Sequence, residues 1–191
     1  RKEDKYKTIN KTGYKYVKTE NEYSPVIAWH PNSSAAAFFY NSKGKVMVDL
    51  VETEGDVTTK VITGVDVALS ANYSIDGKQL IISATSEGQS DIYIYSFTGN
   101  TAINITNDFN SDANPCFLKN TSEVVYSSTK SGKSKADLYK VNLDTREKTQ
   151  LTFTPNVNEN RPLAYENEFS YLADENGVYN RFKARRDSII S

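Results

Sequence analysis

The sequence predicts an all-β fold: about four blades of a β-propeller, each a four-stranded antiparallel sheet. Three markers repeat in fixed order. An aromatic anchor ends the first strand of each unit, at Trp29, Tyr73, Phe117 and Tyr165, with spacings of 44, 44 and 48 residues, and is expected at an equivalent buried position between neighbouring blades. A second marker reads Asp91-Ile92-Tyr93 and Asp137-Leu138-Tyr139, with weaker copies at Met47-Val48-Asp49 and Gly177-Val178-Tyr179. A third, Ile62-Thr63, Ile105-Thr106 and Leu151-Thr152, closes the first three units. One twisted sheet leaves both faces open, whereas radial stacking buries both and exposes only short edges.

The units follow in order. Residues 1–22 form a lead-in that can supply a strand to a preceding blade. The first blade covers 23–63 and holds Trp29-His30-Pro31. The second covers 64–106, with strands expected near 67–73, 79–84, 91–96 and 102–105. Its breaks are Ile75-Asp76-Gly77, Glu87-Gly88 and Gly99-Asn100, pairs that supply the positive φ of tight hairpins. The third covers 107–152, broken at Lys119-Asn120, at 130–135 and at Asp144-Thr145. The fourth covers 153–191 and is incomplete, with strands near 161–165, 169–173 and 178–182 and no clear outer strand. Nowhere does a capped 3.6-residue periodicity appear, so no helix is expected.

Composition narrows the function classes. The chain has 191 residues and a formal net charge of −1, which gives no global field for nucleic acid or an anionic membrane. Its one dense basic stretch runs from Arg1 to Lys18 and is relieved by Glu3 and Asp4. Cys116 is the only cysteine, so no internal disulfide forms. The longest apolar run, 35–40, is far too short to span a bilayer. A start at Arg1 suggests a processed or excised piece.

These residues resemble the TolB-like, or WD40-like, propeller repeat, whose pattern is Trp-Ser-Pro-Asp-Gly-Lys, a hairpin, then Asp-Ile-Tyr. The second unit is most similar, with Tyr73-Ser74-Ile75-Asp76-Gly77-Lys78 and Asp91-Ile92-Tyr93. The third keeps Pro115 but has Lys119-Asn120 for the Asp-Gly turn, and the fourth keeps only Pro162 and Tyr165. The resemblance covers Tyr23 to about Phe182 and implies a ring of six or more blades, of which this chain is a part. It also implies a setting in the periplasm or at the outer membrane, as in large envelope proteins of the Bacteroidetes. There, such propellers sit downstream of a peptidase-like domain.

The sequence assigns no catalytic residue. His30, the only histidine, sits at the mouth of a turn, where a structural role is expected. Gly88-Gln89-Ser90-Asp91-Ile92 lacks the last glycine of a nucleophile elbow. Ser131-Gly132-Lys133-Ser134 joins two strands, not the strand and helix of a phosphate loop. Cys116 falls in an inner strand as a packed thiol. The repeated Asp91 and Asp137 are expected to hold turns or cap strands. Asp187-Ser188-Ile189 resembles a short glycosylation signal. No cofactor is expected, with one exception. Asp108, Asn110 and Asp112 match the first three ligand positions of a calcium loop, but Ala113 and Lys119 break the rest of the pattern. The alternative is a polar inter-blade loop whose side chains satisfy local backbone.

The expected function is a non-catalytic binding scaffold for a protein or peptide partner in a bacterial envelope, without nucleic acid or membrane insertion. Loops on a rigid frame carry function more often than the frame does. The expected binding face holds Asp66, Asn107, Asp112, Lys133, Asn158 and Arg161. The alternative is the gating propeller of a prolyl-oligopeptidase-type or other peptidase whose catalytic domain lies elsewhere.

Overall fold

The computed structural model describes residues 26–119, 122–130, 133–165 and 168–185. The lead-in over 1–22, the basic stretch up to Lys18, Asn120, Gly132 and the triplet Asp187-Ser188-Ile189 lie outside them.

Four antiparallel sheets follow one another along the chain. The first holds β1 (Val26–Trp29), β2 (Ala35–Ser42), β3 (Lys45–Glu52) and β4 (Val57–Ile62). The second holds β5 (Val67–Tyr73), β6 (Gln79–Ser86), β7 (Gln89–Ser96) and β8 (Ala102–Asn104). The third holds β9 (Ser111–Phe117), β10 (Glu123–Thr129), β11 (Asp137–Asn142) and β12 (Lys148–Gln150). The fourth has three strands among the described residues, β13 (Glu159–Tyr165), β14 (Glu168–Ala173) and β15 (Asn180–Arg185). Spatial order equals chain order in every sheet. Besides strands, the described residues carry one 3-10 turn at Glu175–Gly177, and no helix long and apolar enough to cross a membrane.

The turns explain the register. Lys43-Gly44 and Glu87-Gly88 both hold two successive positive φ values, the geometry that matches strand twist in a two-residue hairpin. At the other end of the second sheet, Ser74 donates to Asp76 Oδ1 (2.7 Å), which also accepts from the Lys78 amide (3.1 Å). These bonds, the Ser74 hydroxyl first, hold the Asp76 carboxyl below its usual range. Gly77 then turns the chain at φ +71°, and a methyl group there would overlap the His30 imidazole of the first sheet. Trp29 pairs with Ala36, Tyr73 with Leu80 and Phe117 with Val124, so the first hairpin of three blades has one construction. The inner strands β5, β9 and β13 each carry a bulge next to Leu69, Asn114-Pro115 and Arg161-Pro162. A bulge leaves its residue unpaired, which is where a strand tolerates proline.

Burial follows the stacking. Leu80, Ile82 and Ala84 of β6 face the first sheet with Ala37, Phe39, Val46 and Val48, while Ile81 and Ile92 face Val124, Tyr126 and Val141 of the third. Cys116, Val125 and Leu138 meet Phe169 of the fourth. Central strands buried on both faces therefore read as continuous apolar runs such as Leu80-Ile81-Ile82.

Two expectations from the repeat are corrected. The four aromatic anchors are not all buried: Tyr73 and Phe117 pack between sheets, but Trp29 is 66% and Tyr165 72% exposed. Trp29 occupies the same register position, on a face that no described sheet covers. Tyr165 is one residue out of register: Ala164, paired with Phe169, faces the third sheet, so Tyr165 faces away from it. The fourth copy of the Asp-Ile-Tyr marker is also displaced. Gly177-Val178-Tyr179 lies in the exposed connection, and Phe182, paired with Tyr171, takes the place of Tyr139, paired with Tyr126.

Candidate functional site

Antiparallel order places the sheet-to-sheet loops and the hairpins between second and third strands on one side. Hydrogen bonds knit them together. Asn41 Nδ2 donates to the Asp66 carbonyl (2.8 Å), and the Glu87 amide donates to Asp66 Oδ2 (2.8 Å). Gln89 Nε2 reaches the Asn110 carbonyl, and Ser90 Oγ the Asp112 carbonyl (2.7 Å). Asn158 Oδ1 accepts from the Ala136 amide (3.0 Å), and Lys135 pairs with Asp174 (2.5 Å). The Asn158 amide and that lysine together hold Asp174 below the usual carboxylate range.

This side carries most of the expected binding residues. Asp66, Asn107, Lys133 and Arg161 are exposed, and Asn158 is half-buried with its side chain engaged. Lys133 sits 3.7 Å from Asp137. Asp112 departs from the expectation. It is fully buried between the second and third sheets, because the loop turns inward to begin β9, so it offers no surface to a partner. Two aromatics unremarked in the sequence stand out in the loops: Phe109 is 93% and Phe153 72% exposed. On the opposite side, a groove of about 590 Å³ between the second and third sheets is lined by Ser74, Asp76, Phe117 and Asp144.

Of the expected calcium ligands, Asp108 and Asp112 come together, joined by Asp91, while Asn110 gives its backbone amide to Asp108 and its carbonyl to Gln89. One carboxylate oxygen from each of Asp91, Asp108 and Asp112 lies within 4.8 Å of the others. Asp91 is held by Thr106 Oγ1 (3.0 Å) and Asn104 Nδ2 (2.9 Å). Asp108 accepts from the Asn110 amide (2.7 Å) and pairs with Lys148 (2.5 Å). Asp112 is held by nothing: neither oxygen receives a hydrogen bond. Burial pushes its carboxyl up to about 6, although the nearby hydroxyls of Ser128 and Thr106 oppose the shift.

The next junction has the same plan with one change. Asp137 accepts from Gln150 Nε2 (3.0 Å) as Asp91 does from Asn104, and Thr152 accepts from the Leu138 amide (2.8 Å) as Thr106 does from that of Ile92 (3.0 Å). Glu159 pairs with Ala173 as Asp112 pairs with Ser128, and it too is buried, with its carboxyl raised by desolvation. At the position of Asp108 stands Thr154, which donates to Glu159 Oε1 (3.2 Å). The repeated aspartates thus serve as strand-end anchors. Sequence reasoning placed Asp91 at a strand end but not in this cluster, and missed Lys148 and Glu159, because these residues reach the junctions from other strands. The available signal was the closing threonine, followed after six residues by Asp112 and after seven by Glu159.

The remaining reactive groups are engaged in packing. The His30 ring meets Tyr73 edge-on with centroids 5.0 Å apart and contacts the Asn32 side chain, so it latches the first sheet to the second. Cys116 is buried, and desolvation pushes its thiol up to about 12, far from a nucleophile's range.

The TolB beta propeller domain family matches residues 4–188. No curated protein sequence matches the chain. Among solved structures, a protein described as TolB from Agrobacterium tumefaciens is similar, with a TM-score of 0.71 and 19% identity over 85% of this chain. TolB from Acinetobacter baumannii is similar with a TM-score of 0.68 and 16% identity over 85% of this chain. A puromycin-hydrolyzing peptidase from Mycobacterium tuberculosis is similar with a TM-score of 0.66 and 13% identity over 90% of this chain. The chain spans 58%, 41% and 28% of those three chains, respectively.

Proposed function

This chain belongs to the TolB beta propeller domain family, and from that membership we propose that it contributes four blades to a larger ring serving as a non-catalytic binding scaffold for a protein or peptide. One observation carries the reading. The loop side is cross-braced between neighbouring sheets, as by Asn41, Asp66 and Glu87, while Phe109 and Phe153 project from its loops. A braced surface with projecting aromatics offers a partner anchors at small entropic cost. The envelope setting rests on the resemblance to TolB propellers. Cross-linking in the intact protein tests the reading. Changing Phe109 and Phe153 to serine should abolish recovery of the partner, and changing Val57 and Ile103, exposed on outer strands, should not. Equal recovery from both variants overturns it.

The similarity to the Mycobacterium tuberculosis peptidase favours a second reading, the gating propeller of a peptidase. Peptide hydrolysis by the intact protein that survives replacement of His30 by alanine would select it.

A further inference from the structure

We propose that Asp91, Asp108 and Asp112 hold one calcium ion at the junction of the second and third sheets. Carboxylates gathered within 4.8 Å repel one another unless something positive lies among them. Lys148 supplies one positive charge, on Asp108. Three carboxylates and one ammonium leave a net −2, the charge a divalent cation cancels. Asp112 points to where it sits: fully buried, aimed into the cluster, both oxygens unpartnered. A buried charge is tolerated when it is paired or coordinates a metal. Hard oxygen donors select a hard cation, and two free oxygens on one carboxylate suit the bidentate ligation and flexible coordination of calcium better than the strict octahedron of magnesium. Asp108, with 29% of its side chain exposed, gives an ion a way in.

The neighbouring junction acts as an internal control. There Thr154 replaces Asp108 and its hydroxyl satisfies one oxygen of Glu159, so two carboxylates remain and one acceptor is already used. That junction holds no calcium. The ion would tie the start of β7 and the loop after β8 to the start of β9 and so fasten two blades together.

The test is calorimetric titration of the intact, EDTA-stripped protein with calcium chloride and, separately, magnesium chloride. Wild type should bind calcium with a Kd between about 10⁻⁵ and 10⁻³ M, more tightly than magnesium. Asp112→Asn should bind one calcium fewer per chain, and Glu159→Gln should keep the wild-type number. Should Asp112→Asn fail to fold, Asp108→Asn, on the exposed rim, should weaken the site by at least about tenfold. Terbium luminescence sensitised by Tyr126, whose hydroxyl feels the Asp112, Asp108 and Asp91 charges, should fall in parallel. Equal calcium stoichiometry and affinity in wild type and variants, tighter magnesium, or no calcium heat up to about 10 mM, beyond the weakest protein sites, overturns the proposal.

Discussion

Asp112 and Glu159 show how much one side chain decides between two otherwise matched junctions. Both begin an inner strand and both are buried beside an anchoring aspartate, yet a hydroxyl at Thr154 satisfies half of one, and a carboxylate at Asp108 leaves the other uncompensated. Without a cation, the ionised Asp112 works against folding. Its carboxyl titrates near 6 in the fold, above the ordinary 3.8, so the folded state binds the proton more tightly than the unfolded chain. Stability from this group is complete below pH 3.8 and disappears as pH rises through about 6. Titrating near 6 instead of 3.8 corresponds to on the order of 3 kcal/mol. In calcium-free buffer, lowering pH from about 7 to about 5 should raise Tm by more in wild type than in Asp112→Asn. Parallel Tm–pH curves for the two proteins would refute the assignment. None of this was legible in sequence beyond the clustering of Asp108, Asn110 and Asp112. The loop's acids were visible as a local run, whereas Asp91 enters from a strand of the previous sheet.

Strand spacing was legible because turns announce themselves locally. Asp76-Gly77, Glu87-Gly88 and the apolar run Leu80-Ile81-Ile82 fix the second sheet from its own residues. The fourth sheet was misread where those signals fade. Its first hairpin closes between Tyr165 and Glu168 without an Asp-Gly turn, shorter than its counterparts, and the aromatic at 165 drew the alignment one residue off. Since side chains alternate between faces, that single step moved the anchor to the wrong side. In strand order, Leu80, Val124 and Phe169 occupy one position, and all are buried. Phe169→Ala should therefore destabilise the chain by roughly 3–5 kcal/mol. Tyr165→Ala should stay within about 0.5 kcal/mol. Urea unfolding of the two variants decides between the alignments, and the reverse ranking would restore the one drawn from the aromatics.

At the scale of the molecule, three junctions between sheets are closed, and among the described residues nothing covers the outer faces of the first and fourth sheets. Ile27 and Trp29 are exposed on the first sheet, Leu163 and Tyr165 on the fourth. Sheets of a propeller need neighbours on both sides, and exposed apolar faces drive association. The isolated chain should therefore associate as its concentration rises. Trp29, its only tryptophan, reports this directly. Emission should shift to the blue and iodide quenching should weaken as mass increases. A monomer with concentration-independent emission would show that these blades need no neighbours. The open faces were foreseeable from the number of repeats, but which residues they expose was not, since that depends on the register of each inner strand.

Spatial order equal to chain order has a consequence in time. Among the described residues every strand pairs only with its immediate predecessor and successor, so none of these pairings waits for a distant part of the chain. Hairpins close in about 1–10 μs, while a ribosome adds about 5–20 residues per second. Each sheet can thus be complete before the next has been synthesised, and the slow step is the wait for a neighbour to cover its face. During that wait Leu80, Ile82 and Tyr95 can already bury against the first sheet, while Ile81 and Ile92 stay open until Val124 and Tyr126 emerge. A nascent chain arrested just after β8 should be the species that chaperones hold longest.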